Sequence, residues 1–315
     1  MNKSLSRRAF VGAGCALPAL SVPAFGQTAK TTLRVSTVFV DGAAQPLYAQ
    51  ELGYFADQGL DVQISPSGNG AAGITAVVGG AVDIGISSVV QMASALLHGV
   101  DLKYVAPGAL ALRSSPTGGL VVAADSTIAA PRDFEGQTIG VAALRDATHL
   151  AAMAYLIKGG ADPGKVSFVE VPFPAMLPAV AAGRLAGAVS IQPFLPAAGD
   201  PTRILASAFD SIADRYMVVG YFVSGPWVAA NRAAIRRFAT AMREAARWGN
   251  DPANRARSAQ IIEKIGKVPA AVTQRFNRST YGEVLEPATI DPLLEWENRL
   301  KWTDRLVRAR EMIVT

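Results

Sequence analysis

Short apolar runs alternate with amphipathic segments from Leu33 to about residue 230, and this alternation restricts the fold more than any other feature of the sequence. The apolar runs predict strands and the amphipathic segments predict helices. Their regular alternation favours parallel sheets with helices on both faces, and hence an α/β protein. The predicted strands are Leu33–Thr37, Asp61–Ser65, Asp83–Ser87, Lys103–Ala106, Gly119–Ala124, Thr138–Ala142, Ser167–Val171, Gly187–Ile191, Arg203–Ala206 and Tyr221–Ala230. The predicted helices are Pro46–Leu52, Ala71–Val78, Val89–His98, Thr148–Lys158, Ala175–Ala182 and Pro193–Ala198.

Two α/β lobes are predicted, because the alternation is interrupted once and then restarts. The interruption is Leu110–Leu120, which is rich in Ser, Pro, Gly and Thr, as linkers are. On its two sides, "GITAVVGGAVDIGISS" and "MLPAVAAGRLAGAVSI" share the order helix, Gly, loop, strand. We expect lobes at residues 27–115 and 116–225, with a cleft between them that suits a ligand.

The sequence after Asn231 is helical in character, with predicted helices at Ala233–Trp248, Pro252–Ile265 and, with breaks, Pro292–Met312. Its basic residues are interleaved with acids and with tryptophans at the spacing of amphipathic helices. We expect residues 226–315 to pack back on the lobes and to expose a charged face.

The N-terminal residues 1–26 have the layout of an export signal: a basic start, an apolar run from Ala9, and small residues at Ala24 and Gly26. The apolar run is too short to cross a bilayer. Ser6–Phe10, "SRRAF", resembles the twin-arginine signal, although general secretory export stays open. We expect cleavage after Gly26 rather than after Ala24, and a mature chain in the periplasm.

The cysteine and charge counts exclude several classes of function. Cys15 is the only cysteine, and Gly12 stands where a lipidated cysteine requires a Leu-like residue. Without Cys15, the mature chain is expected to have no disulfide and no thiolate metal site. The signal carries Lys3, Arg7 and Arg8, so that 27 of the 30 basic residues remain against 25 acidic ones. So small a net charge does not indicate a nucleic-acid or membrane-surface partner.

Three stretches resemble the periplasmic substrate-binding proteins of the nitrate/sulfonate/taurine and thiamine-precursor class of ABC importers. They are "LYAQELGYFADQGLDVQI", "SGNGAAGITAVVGGAVDIGISS" and "DFEGQTIGVAALRDATH". The resemblance extends from Leu33 to about Ile265. It implies a type II periplasmic-binding-protein fold, in which two α/β lobes with two crossovers close on a ligand in the cleft. It also implies that the partners are a small molecule and an ABC permease with its ATPase.

The first lobe is predicted to contact the ligand through Gln45, Asn69, Gly70 and Ser87. Helix N-termini leave N–H groups unpaired and carry a partial positive charge, so that they hold anionic or polar ligand groups. The small residues around Asn69 let a ligand approach the backbone, although a plain Gly-rich turn is the alternative. For Ser87, the alternative is capping of the following helix.

The second lobe is predicted to contribute Arg145, Thr148 and Gln192. Arg145 suits a bidentate pair with a carboxylate or sulfonate, unless it pairs with Asp146 or faces solvent. Asp146 is a candidate N-cap whose charge opposes a strong anion unless Arg145 neutralises it, which argues against a simple sulfonate or nitrate. Gln192 suits a neutral or mixed ligand, and its alternative is a surface position.

Phe39, Phe173 and Tyr221 lie in or beside predicted strand ends, where they either stack on a flat ligand or belong to the core. Catalysis is not expected, because no HExxH, GxSxG or Walker motif occurs. The two histidines, His98 and His149, lie on predicted helices. We expect no catalytic residue, metal or cofactor.

The sequence therefore predicts a monomeric periplasmic solute-binding protein that captures a small anionic or aromatic organic ligand and delivers it to an ABC permease. Two alternatives stay open. One is a ligand-sensing partner of a membrane receptor that uses the same cleft, and the other is a periplasmic enzyme.

Overall fold

The computed structural model describes residues 30–314 except 197–198, 267–268 and 275–276, so the predicted export signal and its cleavage site lie outside the described residues. The strands are β1 (Thr31–Thr37), β2 (Leu60–Pro66), β3 (Gly85–Ser88), β4 (Leu102–Pro107), β5 (Ala109–Leu112), β6 (Gly118–Ala123), β7 (Thr138–Val141), β8 (Ser167–Glu170), β9 (Gly187–Ile191), β10 (Thr202–Ala206), β11 (Arg215–Met217), β12 (Val219–Ser224) and β13 (Thr280–Tyr281). The helices are α1 (Gln45–Glu51), α2 (Tyr54–Asp57), α3 (Gly70–Val78), α4 (Val89–Leu97), α5 (Ala147–Lys158), α6 (Phe173–Ala181), α7 (Gly225–Asn250), α8 (Arg255–Gly266), α9 (Ala270–Thr273), α10 (Pro287–Arg299) and α11 (Ala309–Met312).

The first lobe combines strands from the beginning of the chain with strands that return later. β1 and β2 pair in parallel, and a bridge between Val35 and Ile84 links this pair to the segment before β3. β12 lies between β3 and β4 and is antiparallel to both. A third sheet has the order β11-β5-β13. The chain therefore leaves this lobe after β5 and returns to it at β11.

The second lobe contains a five-stranded sheet of order β10-β6-β9-β7-β8. β7 is parallel to both β8 and β9, whereas β6 is antiparallel to β9 and β10. α5 follows β7 and α6 follows β8. The carboxyl ends of β7 and β8 thus lie at one edge of the sheet, which is where ligands bind in open α/β folds.

The C-terminal helices hold the two lobes together. α7 packs on α1, α2 and β4, with Phe238 stacked on Phe55 at a ring-centroid distance of 5.6 Å. α10 packs on α4 and β11 and also on α5 of the second lobe. Its Trp296 donates a hydrogen bond from Nε1 to the carbonyl of Ile212, at 3.2 Å. No helix in the described part of the chain is long and apolar enough to span a membrane.

The predicted strand Tyr221–Ala230 is too long. β12 ends at Ser224 and α7 begins at Gly225, because Pro226 stands in the first turn of a helix, where it is well tolerated. The apolar run continues into this helix, which is why the pattern suggested one long strand. Residues 219–224, which the sequence assigned to the second lobe, pair as β12 with strands of the first.

Two other segments differ from the predictions. Leu110–Leu120 is not an irregular linker throughout, since it contains the end of β5 and the start of β6. Residues 192–196 of the predicted helix Pro193–Ala198 form turns, and the remaining two lie outside the described residues. Ser190 donates a hydrogen bond to the carbonyl of Phe194 at 2.7 Å and closes this turn instead of a helix.

Candidate functional site

A cavity of about 530 Å³ lies between the two lobes. The first lobe forms one wall with the loops after β1 and β2, the starts of α3 and α4, and β5. The second lobe forms the other with the segments that follow β7, β8, β9 and β10. Most of the lining side chains are apolar, and the volume suits a small organic molecule.

The structure brings seven of the ten predicted contact residues to the lining of this cavity, namely Asn69, Gly70, Ser87, Thr148, Gln192, Phe39 and Phe173. The other three, Gln45, Arg145 and Tyr221, do not line it.

Each of these three residues has a physical reason for lying elsewhere. Gln45 is buried in α1, where its Nε2 points to the carbonyl of Gly282. Tyr221 is buried, and its hydroxyl donates to the carbonyl of Ala43 at 3.0 Å, which supports the cavity wall from behind. The side chain of Arg145 is exposed, and its backbone has a φ of 54°, in the left-handed region.

The first-lobe wall is held in place by helix caps. Asn69 caps α3, since its Oδ1 accepts a hydrogen bond from the Ala72 N–H at 2.9 Å. Ser88 caps α4 through the Gln91 N–H. The Ser87 hydroxyl donates a hydrogen bond to Oε1 of Gln91 at 3.1 Å, and Ser87 also lines the cavity. Both serines line the cavity, and Ser88 is the one that caps α4.

Gly70 lies against the other wall-forming residues of the first lobe. A Cβ at this position would collide with Oε1 of Gln91 and lie 2.8 Å from Oγ of Ser87. We expect Gly70→Ala to displace Gln91 and to lower the free energy of unfolding by about 1–3 kcal/mol, the usual cost of overpacking. Gly68→Ala is the matched control, because no atom lies within 4 Å of a Cβ there. Urea denaturation of both variants tests the difference, and equal losses would contradict it.

The second-lobe wall is built around the start of α5. Asp146 is its N-cap, as predicted, and Oδ1 accepts hydrogen bonds from the N–H groups of Thr148 and His149 and from the Thr148 hydroxyl. Thr148 in turn accepts a hydrogen bond from the Ala142 N–H at 2.9 Å. The hydroxyl of Thr148 therefore ties the end of β7 to the helix that follows it.

Two ionisable groups in this segment have shifted pKa values. Burial raises the pKa of Asp146 to about 6, against the lowering effect of its hydrogen bonds, and the charge of Glu170 raises it further. Burial lowers the pKa of His149 to about 4, and the charge of Arg145 lowers it further. The His149 ring packs between Phe168 and Trp302, and its Nδ1 accepts the Arg145 N–H at 2.9 Å. His149 is thus a neutral packing residue rather than a cavity residue.

An aromatic surface and a free amide complete the second-lobe wall. The rings of Phe173 and Phe194 are parallel within 1°, with centroids 6.3 Å apart, and both line the cavity. The Gln192 N–H donates to the carbonyl of Thr117 at 2.9 Å. Its half-buried side-chain amide forms no hydrogen bond with any residue the structure describes, which leaves it available to a ligand.

Sequence reasoning missed several lining residues, above all Glu170, Phe194, Ser207 and Asp210. A usable signal existed for Glu170. It lies near the carboxyl end of the predicted strand Ser167–Val171. The carboxyl ends of parallel strands share an edge, so this position falls beside the end of the predicted strand Thr138–Ala142, which precedes Asp146. Phe194 and Ser207 lie in connecting segments, and Asp210 lies in the short 3₁₀ helix Ala208–Ser211. None of these segments is long enough for a periodicity to indicate which side chains face the cleft.

A buried charge pair supports the loop after β1. Asp41 is 1% exposed and pairs with Arg278, at 2.7 Å and 11% exposed. Arg278 also donates to the hydroxyls of Ser258 and Tyr48, and Asp41 accepts the Ser279 N–H at 2.6 Å. Because Ser279 and the two residues after Asp41 line the cavity, this pair fixes one of its walls.

The profile of the NMT1/THI5-like family matches residues 43–254, which is more than half of the chain. The chain belongs to the NMT1/THI5-like family. This membership, together with the solved structures described next, confirms the resemblance noted in the sequence. A search of curated proteins found no match.

Solved structures with the same fold confirm the two-lobed type II periplasmic-binding-protein architecture. The periplasmic aliphatic sulphonate binding protein SsuA from Escherichia coli is 17% identical, with 90% of this chain and 97% of that one covered and a TM-score of 0.72. The alkanesulfonate-binding protein SsuA from Xanthomonas axonopodis pv. citri, bound to MOPS, is 15% identical, with 90% of this chain and 98% of that one covered and a TM-score of 0.75. The periplasmic nitrate-binding protein NrtA from Synechocystis PCC 6803 is 16% identical, with 87% of this chain and 83% of that one covered and a TM-score of 0.73.

Proposed function

We propose that this member of the NMT1/THI5-like family is an exported solute-binding protein that captures a small organic ligand and delivers it to an ABC importer. The observation that carries the proposal is the cavity of about 530 Å³ whose walls come from both lobes. A ligand in such a cavity stabilises the closed arrangement over the open one, because only the closed form contacts it from both sides. The structural neighbours support import, since they are described as periplasmic binding proteins.

The proposed contacts are divided between the two lobes. Ser87 and the backbone around Asn69 and Gly70 act from the first lobe, together with Phe39. Thr148, Gln192 and Phe173 act from the second. Gln192 is the principal polar contact, because its amide has no partner among the described residues while the hydroxyls of Ser87 and Thr148 are already engaged. The protein binds without turnover in this proposal.

A thermal-shift screen of the chain from Gln27 tests the proposal, with alkanesulfonates, aromatic acids, aromatic amines, pyrimidines and flavins as solutes. A ligand that binds only the folded protein raises the melting temperature. We expect Gln192→Ala and Phe173→Ala to weaken the best solute by about tenfold each, or ~1.4 kcal/mol. Arg145→Ala should leave its affinity unchanged, because that side chain does not line the cavity.

Two results would count against the proposal. If no solute raises the melting temperature, import of a small molecule loses its support. If a solute binds equally well to wild type, Gln192→Ala and Phe173→Ala but is lost in Arg145→Ala, the ligand lies outside the cavity. Permease and ATPase genes beside the coding gene favour import, whereas a sensor-kinase gene favours the receptor-partner alternative.

A further inference from the structure

The charged residues of the cavity all have the same sign. Among the described lining residues, the ionisable side chains are Asp146, Glu170 and Asp210, and no Lys, Arg or His is present. We call these three side chains the cavity carboxylates. None of them forms an ion pair with a described residue. Arg278, next to the lining residue Ser279, is committed to Asp41. A bound anion would therefore meet acids without any compensating cation.

The cavity carboxylates also keep unused acceptor atoms. Oδ1 of Asp146 caps α5, but Oδ2 accepts no hydrogen bond from a described residue. Oε1 of Glu170 accepts the Leu144 N–H at 2.8 Å, and its Oε2 has no such partner. The carboxylate of Asp210 accepts none from the described chain. A carboxylate oxygen is only an acceptor, so that these atoms call for a ligand with N–H donors.

A second and independent observation points to a ligand in the same place. The buried Oγ of Ser207, another lining residue, has no hydrogen-bond partner in the part of the chain described. Buried hydroxyls are almost always paired, so this atom requires a partner from outside the protein. The ligand is therefore expected to carry polar hydrogen-bonding groups on an otherwise apolar body.

The aromatic residues define the shape and further favour positive charge. Phe39, Phe173, Phe194 and Phe209 line the cavity, and the parallel rings of Phe173 and Phe194 offer a flat surface. A planar aromatic ligand stacks on such a surface. The face of each ring also attracts a cation through its quadrupole, and this attraction adds to that of the carboxylates.

Resting on the solute-binding function above, we infer that the cavity selects a planar aromatic cation, such as an amidinium or a protonated amine, over neutral and anionic molecules of the same shape. This class differs from the sulfonates and nitrate named for the structural neighbours, and from the anionic ligand that the sequence left open. The amidinium N–H groups would meet the free oxygens of the cavity carboxylates.

Three probes of nearly identical shape test the charge alone: benzamidine, benzamide and benzoate. The affinities are measured by isothermal titration of the chain from Gln27 at pH 7.5. Benzamidine should bind at least about tenfold more tightly than benzamide, and benzoate should bind most weakly. The reason is that a close opposite charge contributes about 1.4 kcal/mol or more to binding. Glu170→Gln and Asp146→Asn should each weaken benzamidine by about tenfold and leave benzamide unchanged. Asn is as good an N-cap as Asp, so the second variant preserves α5.

Glu295→Gln is the matched control, because Glu295 lies exposed on α10 and does not line the cavity. We expect this variant to bind benzamidine like the wild type. An equal loss in Glu295→Gln and Glu170→Gln would mean that only the overall field of the protein is sensed, and it would overturn the inference.

The pH dependence of benzamidine binding separates a lost charge contact from a misfolded variant. Asp146 is faced by Glu170 from the end of β8 and by Arg145 and His149 from its own segment, and its pKa of about 6 leaves it mostly protonated at pH 5. Protonation removes its attraction for a cation, so benzamidine affinity should fall by about tenfold from pH 7.5 to pH 5. His149, with a pKa of about 4, stays mostly neutral over this range. In Asp146→Asn the fall should largely disappear.

The inference and the proposed function fail in different ways. Suppose that benzoate or an alkanesulfonate binds more tightly than benzamidine, and that Phe173→Ala loses this binding. That result would overturn the charge selectivity and leave the proposed solute binding intact. Absence of benzamidine binding at millimolar concentration would also overturn the inference. Failure of the whole solute screen, by contrast, would remove the proposed function itself.

Discussion

Replacing Arg278 by Met is expected to lower the free energy of unfolding by about 3–5 kcal/mol, because it leaves the buried charge of Asp41 without its partner. Asp41 is 1% exposed, and the N–H of Ser279 is then its main remaining hydrogen-bond donor. The hydroxyls of Tyr48 and Ser258 lose their charged donor at the same time. Urea denaturation followed by circular dichroism measures the loss.

Two further variants separate the pair from its surroundings. Arg215 pairs with Glu286 on the surface, 49% and 42% exposed, so Arg215→Met should cost at most about 1 kcal/mol. The double variant Asp41→Leu/Arg278→Met removes both charges and should recover much of the stability, since the penalty lies in the unpaired charge. A loss in Arg278→Met no larger than in Arg215→Met would contradict this account of the pair.

The alternation of strands and helices predicted most of the fold, because β1, β2, β3, β7 and β8 are each a short run that is followed by a helix. It failed where local chemistry breaks the pattern. At Gly225 the apolar character continues but Pro226 starts a helix, so that β12 ends six residues early. The short strands β5, β11 and β13 have only two to four residues each, which is too few for a periodicity to show.

The candidate site was only partly predictable, for a different physical reason. Helix starts such as Asn69-Gly70 and Thr148 can be recognised from capping residues, and the structure places them at the cavity. Arg145 could not be placed in this way, because its orientation depends on a left-handed φ of 54° and on a hydrogen bond to His149. Both are properties of the folded loop, whereas the sequence gives only the presence of an arginine.

Glu297 shows how a helix pattern can contain more than its usual interpretation. Glutamate in an amphipathic helix is normally solvated, but Glu297 follows Ile290, Leu293 and Leu294 by seven, four and three residues. These spacings place it on the buried face of α10. It is 2% exposed, and its Oε2 has no hydrogen-bond partner in the described part of the chain.

Burial raises the pKa of Glu297 to about 9, although the charge of Arg145 opposes the shift, so that the folded protein holds this carboxyl protonated at neutral pH. The unfolded chain releases the same proton near the ordinary glutamate pKa of 4.5. Between these two pH values the folded state binds one more proton than the unfolded state, and stability therefore falls as the pH rises. Below pH 4.5 both states are protonated and the full contribution is present.

We expect Glu297→Gln, which has the shape and hydrogen-bonding capacity of the protonated acid, to raise the free energy of unfolding at pH 7. The gain is on the order of 3 kcal/mol, since each pH unit above 4.5 costs the wild type about 1.4 kcal/mol. Wild type should lose stability relative to the variant from pH 5 to pH 9, and the two should converge near pH 4.5. Glu295 lies two residues before Glu297, on the exposed face of the same helix. Glu295→Gln should therefore leave the pH profile of the wild type unchanged. Parallel profiles for wild type and Glu297→Gln over this range would show that Glu297 is ionised in the folded protein, and hence that Arg145 or bound water compensates its charge.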